Sequence, residues 1–199
     1  MTRAEYKPLP MHKLQPGVTY HPPGAYAPKL VREDSPAIEV MTDLRMIAAA
    51  TIGADASIDM ANQAMIARGV RLLLVVSGSN RIAGLVTARD TMGEKPITLA
   101  RERGIKRGEL TVADLMAPAD GIEVLDIATV LRSEVGHVIA TLKERGRQHA
   151  MVVDKDEQSG GQLIRGIFSA SQIGRQLGIP ILSFEIARTF TDIEAELRK

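Results

Sequence analysis

The chain has 199 residues, 45% hydrophobic and 25% charged, with 25 Lys+Arg against 24 Asp+Glu and a formal net charge of +1. That length suits one domain or two small ones sharing a core. The near-neutral balance gives no electrostatic footprint for nucleic acid, and 3% aromatics with no Trp supply few stacking platforms for single strands. The chain has no cysteine, which excludes disulfides, thiolate zinc sites and cysteine nucleophiles. Met1 to Pro10 carries charge and proline without an apolar stretch, so no secretory signal is expected. No apolar run approaches the ~20 residues of a membrane span. The expected location is the cytoplasm, with no membrane and no nucleic-acid partner.

Residues 1–36 come first. Pro8, Pro10, Pro16, Pro22, Pro23 and Pro28 lie in this stretch and Pro36 closes it. Proline fixes φ and removes a donor, so this stretch is predicted to be an extended arm, neither helix nor central strand. Val18, Tyr20, Tyr26, Leu30 and Val31 are the residues that would pin it to a surface.

From residue 37 the pattern becomes globular and repeats. The first copy opens with Ala37-Ile38-Glu39-Val40-Met41, followed by a short strand around Met46 to Ala50. Ile58, Ala61 and Met65 then recur at the spacing of one helix face, and Arg68-Gly69 ends that helix with a residue suited to a left-handed cap. Leu72 to Val76 is a strand, Ser77 to Arg81 a polar turn, and Ile82 to Thr87 a second strand, so the three read as a hairpin. A short helix begins near Ala88. Between the copies, Gly93 to Leu110 carries one or two helical turns at Leu99 to Arg103, stopped by Gly104.

The second copy opens with Val112-Ala113-Asp114-Leu115-Met116 and Ala117-Pro118, then a strand around Ile122 to Leu125. Val135, Val138 and Leu142 fall on Ile58, Ala61 and Met65 when Arg145-Gly146 is laid on Arg68-Gly69. His149 to Val153 matches Leu72 to Val76, and Ile164 to Ser169 matches Ile82 to Thr87. The turn between them is longer, as loops tolerate, and a helix starts near Ala170. Ser183 to Lys199 is predicted to be an amphipathic helix, with Ile186, Phe190, Ile193 and Leu197 on one face.

The fold class is therefore α/β (α+β), two strand-helix-strand-strand-helix repeats packed as one pseudo-symmetric module. Neither repeat, at about 60 residues, buries a convincing core alone. The predicted boundaries are an arm at 1–36, repeat one with the connecting segment at 37–108, repeat two at 109–180 and a C-terminal helix at 181–199.

These residues resemble the tandem cystathionine-β-synthase (CBS) domain family, in its stand-alone bacterial form. The resemblance lies in Val-x-x-Leu-Met at 112–116 with a looser version at 37–41, in the helix-Gly-strand passage ending in Val-Val, and in Gly84-Leu85-Val86-Thr87-Ala88-Arg89-Asp90. It covers about 37–180. It implies a regulatory module that binds AMP, ADP or ATP, or S-adenosylmethionine, in clefts between repeats, that has no catalytic centre and needs no cofactor, and that commonly pairs as a homodimer.

The residues themselves agree with such a site. Thr87 ends a strand and Asp90 sits in the first turn of the next helix. An ionised Asp accepts two hydrogen bonds, as the vicinal hydroxyls of a ribose require, and Thr87 offers a hydroxyl beside it. The bland reading is that Asp90 is a helix N-terminal carboxylate, worth about 0.3–1 kcal/mol. For the phosphates, Arg89 lies within the signature, and Arg71 stands where the resemblance places a phosphate-binding Arg. His149 occupies the matching stretch of repeat two. The adenine slot is expected near Ala48–Ala50 and Ile122–Leu125. In repeat two, Ser169-Ala170-Ser171-Gln172 puts Gln172 where the signature has Asp, a weaker acceptor for two hydroxyls.

Other chemistries find no support. His12, His21, His137 and His149 have no metal-ligand spacing. Gly93-Glu94-Lys95 lacks the phosphate-loop pattern, and Ser77-Gly78-Ser79 is a turn, not a nucleophile elbow. The first expectation is thus a ligand-sensing module acting on its own oligomer or on a protein partner in trans. The alternative is a structural dimerisation module with a vestigial site.

Overall fold

Two four-stranded sheets organise the molecule, and each borrows a strand from the other half of the chain. The structure is a computed structural model that describes residues 31–78, 81–157 and 160–179. Most of the predicted arm and the whole predicted C-terminal helix lie outside these residues. The first sheet runs β2 (Thr51–Gly53), β3 (Leu72–Val76), β4 (Ile82–Thr87), β5 (Ala117–Pro118). The second runs β6 (Val124–Asp126), β7 (His149–Lys155), β8 (Gln162–Ser169), β1 (Thr42–Asp43). The two short strands expected at 46–50 and 122–125 are found slightly later, at β2 and β6. Each pairs in parallel with the central strand of its own sheet, Ile52 opposite Val75 and Leu125 opposite Val152.

The helices follow the apolar spacing. α1 (Ile58–Arg68) buries Ile58, Ala61 and Met65, and α6 (Val135–Glu144) buries Val135, Val138, Ile139 and Leu142. Ser57 caps α1 by accepting from the Met60 amide at 3.2 Å. Gly69 ends it at φ 63°, where a residue with a Cβ would be strained. α2 (Ala88–Met92) and α7 (Ala170–Gln176) follow the two hairpins, and α3 (Glu94–Arg103) is longer than its last turns alone indicated.

Strand alternation divides the core. On one face of β3, Leu73 and Val75 pack with Ala61, Met65 and Val86 beneath the helices. On the other, Leu72 and Leu74 meet Met151 from β7, flanked by Leu85, Val124 and Ile167. That second cluster is where the two repeats join. Each such side chain, once buried, contributes about 1.5–3 kcal/mol, and a lone repeat would expose this face.

The opening segment of each copy crosses to the other. The 3-10 turn Ala37–Val40 buries Ala37 and Val40 among Val135, Phe168 and Ile173 of repeat two. β1 then pairs antiparallel with β8, Thr42 opposite Ile167. In return, α4 (Val112–Leu115) sends Val112 into the core of repeat one and Leu115 against Ile58, and β5 pairs with β4. Backbone bonds repeat the symmetry: Ala37 N to Ser133 O and Val112 N to Ala56 O, both at 2.8 Å. Glycine makes the crossing close. A Cβ on Gly84 would lie 2.3 Å from the Ala117 carbonyl oxygen, and one on Gly166 would lie 2.4 Å from the Met41 sulfur. Gly84 thus admits the backbone of β5.

Candidate functional site

Thr87 ends β4 and directly precedes α2. Asp90 turns back onto it: one carboxylate oxygen accepts from the Thr87 amide at 2.9 Å and from its hydroxyl at 2.6 Å. This reciprocal arrangement satisfies amides left open at a helix start. It also fixes Asp90, which is half-buried, with its second oxygen outside this pair. Thr111 and Asp114 make the same pair at α4, with the Thr111 amide donating at 2.8 Å. There the bonds from Thr111 and the Arg103 guanidinium hold the Asp114 carboxyl below the usual carboxylate range. The motif is thus a local capping device that any ligand role must build upon.

Arg71 stands beside this junction. Its carbonyl accepts from the Ala88 amide at 3.0 Å, and the next residue, Leu72, lies opposite Thr87. The corresponding bond in repeat two runs from the Ala170 amide to the Gln148 carbonyl at 2.9 Å, with His149 opposite Ser169. His149 therefore takes the place of Leu72, and alternation with Met151 turns it toward the join between repeats. Burial pushes its pKa down to about 4, with the Arg71 charge adding to the effect. The Arg71 guanidinium in turn holds its proton less tightly, through burial first and then the nearby Arg175. The Arg71 charge thus acts on His149 and is itself disfavoured by Arg175, both of repeat two. Arg175, in the last turn of α7, escaped sequence reasoning; nothing in its spacing marks it.

The other expected residues are placed differently. Arg89 is exposed on α2. The Ser169 and Ser171 hydroxyls share a 3.1 Å hydrogen bond. Gln172 accepts from the Thr42 hydroxyl at 3.1 Å, so the residue at the Asp position of repeat two is tied to the exchanged strand β1. Next to Thr42, Asp43 accepts from the Arg165 guanidinium and, at 2.8 Å, from the Arg45 amide; Arg165 chiefly holds the Asp43 carboxyl low. Arg45 reaches on to Asp154 at 3.1 Å. A surface cavity of about 510 Å³, lined by Asp126, Arg132, Asp154, Lys155 and others, opens at the far end of β7 from His149 and includes none of Thr87, Asp90, Arg71 and His149. Among the described residues, no three acidic or histidine side chains group as a metal site, and no helix is long and apolar enough to cross a membrane.

Residues 37–94, which end just past Thr87 and Asp90, match the family model of the CBS domain. This segment of the chain is similar to a CBS domain. Solved structures share the fold of the whole CBS pair, both repeats included. An uncharacterized conserved protein from Pyrococcus horikoshii is 18% identical, with 76% of this chain and 98% of that one covered and a TM-score of 0.52. CBSX2, from Arabidopsis thaliana and solved in complex with AMP, is 20% identical, with 71% and 94% covered and a TM-score of 0.50. A CBS-domain containing protein from Agrobacterium tumefaciens is 17% identical, with 69% and 93% covered and a TM-score of 0.50. No curated protein matches the sequence. At these identities the likeness establishes the fold of the CBS pair, and the ligand must be argued from the side chains.

Proposed function

We propose that this CBS pair is a cytoplasmic, non-catalytic regulatory module that binds an adenine nucleotide of the AMP, ADP or ATP class between its repeats. The observation that carries the reading is the junction of β4 with α2. A preorganised Thr87–Asp90 pair lies one backbone hydrogen bond from Arg71, and the Arg71 charge acts on His149 and is disfavoured by Arg175, both of the other repeat. A fixed carboxylate suits ribose hydroxyls and a basic cluster suits phosphate. CBSX2, which shares the fold, was solved with AMP. Because the site draws on both repeats, a nucleotide would favour whichever arrangement of the repeats brings these groups to it. Signalling would then pass to the protein's own oligomer or to a partner in trans.

Calorimetry with AMP, ADP and ATP tests this. Asp90→Ala should cost about 10- to 100-fold in affinity, the worth of charge-assisted hydrogen bonds, while Gln172→Ala should change it little. Asp90 also caps α2, so the circular dichroism and melting of each variant are compared first. A folded Asp90→Ala that binds as wild type does would reject the site.

One observation favours the alternative, a structural dimerisation module. In repeat two the signature position is occupied by an amide engaged with Thr42. Exposed Met60, Ile66, Met92 and Ile97 on α1, α2 and α3 also offer apolar surface for a homodimer. Light scattering showing only a 21.5 kDa species at micromolar concentration would reject the dimer. Dimers with no nucleotide binding would favour the alternative.

A further inference from the structure

We propose that the cavity of about 510 Å³ at the far end of β7 is a second binding site, for an acidic amino acid, built by two insertions that repeat two carries and repeat one lacks. This site stands independently of the nucleotide site.

The two repeats diverge at one end of their parallel strands. In repeat one, residues 54–57 carry the chain from β2 to α1. In repeat two, residues 127–134 make the same crossing from β6 to α6 and include the short helix α5 (Ile127–Val130). The hairpins differ at that same end. Val76 pairs with Ile82 across residues 77–81, whereas Val153, its equivalent, pairs with Ile164 across residues 154–163. Both insertions therefore rise beyond the carboxyl ends of β6 and β7, and α5 lies against β7. The hairpin end is held by two backbone bonds at 2.8 Å, Asp156 N to Gly161 O and Gly160 N to Asp156 O. The space between the insertions is the cavity. Asp126, Thr129 and Arg132 line it from one side, and Asp154, Lys155 and Gln162 from the other. The crevice beyond the carboxyl ends of parallel strands is where open α/β sheets hold small ligands, and the volume falls in the usual range of about 300–1,000 Å³.

The charges lining the cavity are unequally engaged. Asp154 accepts from the Arg45 guanidinium at 3.1 Å and from the Lys155 amide at 2.8 Å. Among the described residues, the side chains of Arg132, Lys155 and Asp126 have neither a hydrogen bond nor an ion pair. Asp126 directly precedes α5, yet its side chain does not cap that helix. The cavity thus offers two cations and one carboxylate, with Thr129 and Gln162 beside them. A guanidinium takes a carboxylate through two parallel bonds, and a Lys ammonium meets a second carboxylate as a point charge. Asp126 pairs with an amine, and its charge disfavours a plain polyanion such as a chain of phosphates in the same space. The ligand complementary to this set carries two carboxylates and one ammonium, as glutamate and aspartate do.

The test is calorimetry on the 199-residue chain with L-glutamate, L-aspartate, glutarate and L-glutamine, with amide NMR of the same titrations. Glutarate lacks the ammonium and glutamine lacks one carboxylate. Wild type should bind glutamate or aspartate saturably, at least about tenfold more tightly than glutarate or glutamine. Amide shifts should concentrate at Asp126, Arg132, Lys155 and Gln162. Arg132→Gln should weaken the acidic amino acid about tenfold. Asp126→Asn should weaken it by a similar factor and improve glutarate, a reversal of preference that lost packing would not produce. Both side chains are exposed, so neither substitution should alter the circular dichroism. Three results would each overturn the inference: glutarate bound by wild type as tightly as glutamate and aspartate, shifts centred on Thr87 and Asp90, or no saturation by glutamate or aspartate at millimolar concentration.

Discussion

Replacing Gly84 by Ala should weaken the exchange that holds the two repeats together. The new Cβ would stand 2.3 Å from the Ala117 carbonyl oxygen and 3.2 Å from the Met116 sulfur. Because that oxygen belongs to backbone, relief to a tolerable 3.0 Å requires β5 to move off β4 by about 0.7 Å. The movement strains the pairing of Gly84 with Pro118 and Leu85 with Ala117 and loosens α4, whose Val112 and Leu115 are fully buried. Overpacking of this kind costs about 1–3 kcal/mol. With a urea dependence of about 2 kcal/mol/M, a 2 kcal/mol loss lowers the midpoint by about 1 M. Gly166→Ala is the internal control. Its Cβ meets the Met41 side chain, which can change rotamer, so its loss should be the smaller of the two. Urea unfolding followed by circular dichroism, with a second probe to verify two-state behaviour, measures both. The reasoning fails if Gly84→Ala lies within 0.5 kcal/mol of wild type, roughly the scatter of neutral surface changes, or if Gly166→Ala is the more damaging.

Three further outcomes follow from particular contacts. His149 has a native pKa of about 4 against an ordinary 6.5, so between those values the unfolded chain binds the extra proton and stability is lost as pH falls. The loss amounts to about 3 kcal/mol by pH 4; the urea midpoint should therefore fall less between pH 7 and pH 4.5 in His149→Gln than in wild type. Thr42→Val removes the hydroxyl donated to Gln172 and should cost about 0.5–1.5 kcal/mol of stability while leaving nucleotide affinity unchanged; a parallel loss of affinity would place Gln172 in the ligand site. Arg107 donates to Asp59 on α1 and, at 2.9 Å, to the Thr91 carbonyl ending α2. Arg107→Ala should therefore increase hydrogen exchange at α2 more than at α6.

Much of this architecture was legible because each repeat obeys simple periodicities. Ile58, Ala61 and Met65 at helical spacing, and the paired Val-Val strands, fixed the helix and the hairpin of each unit. The exchange of β1 and β5 was not legible. The opening segments 37–41 and 112–116 are apolar enough to be buried, but periodicity tells which face of an element is buried, not against which copy. The close approaches at Gly84 and Gly166 emerge only once β5 and β1 are paired with the other repeat. Of the site, Thr87 and Asp90 could be read as a strand-to-helix junction. Their bond to each other follows from local geometry, since a carboxylate three residues into a helix reaches back to the cap. Arg175 had no such mark. Its effect on Arg71 arises from packing of one repeat on the other, which residue spacing within a repeat does not encode.

The central claim is that one adenine nucleotide binds per chain at the β4–α2 junction. Calorimetric titration of ADP into the 199-residue chain measures this most directly, through affinity and stoichiometry together. The account predicts saturable binding at one nucleotide per chain that disappears or weakens sharply in Asp90→Ala. Two equal sites per chain, or no heat with AMP, ADP or ATP from a folded protein, would contradict it.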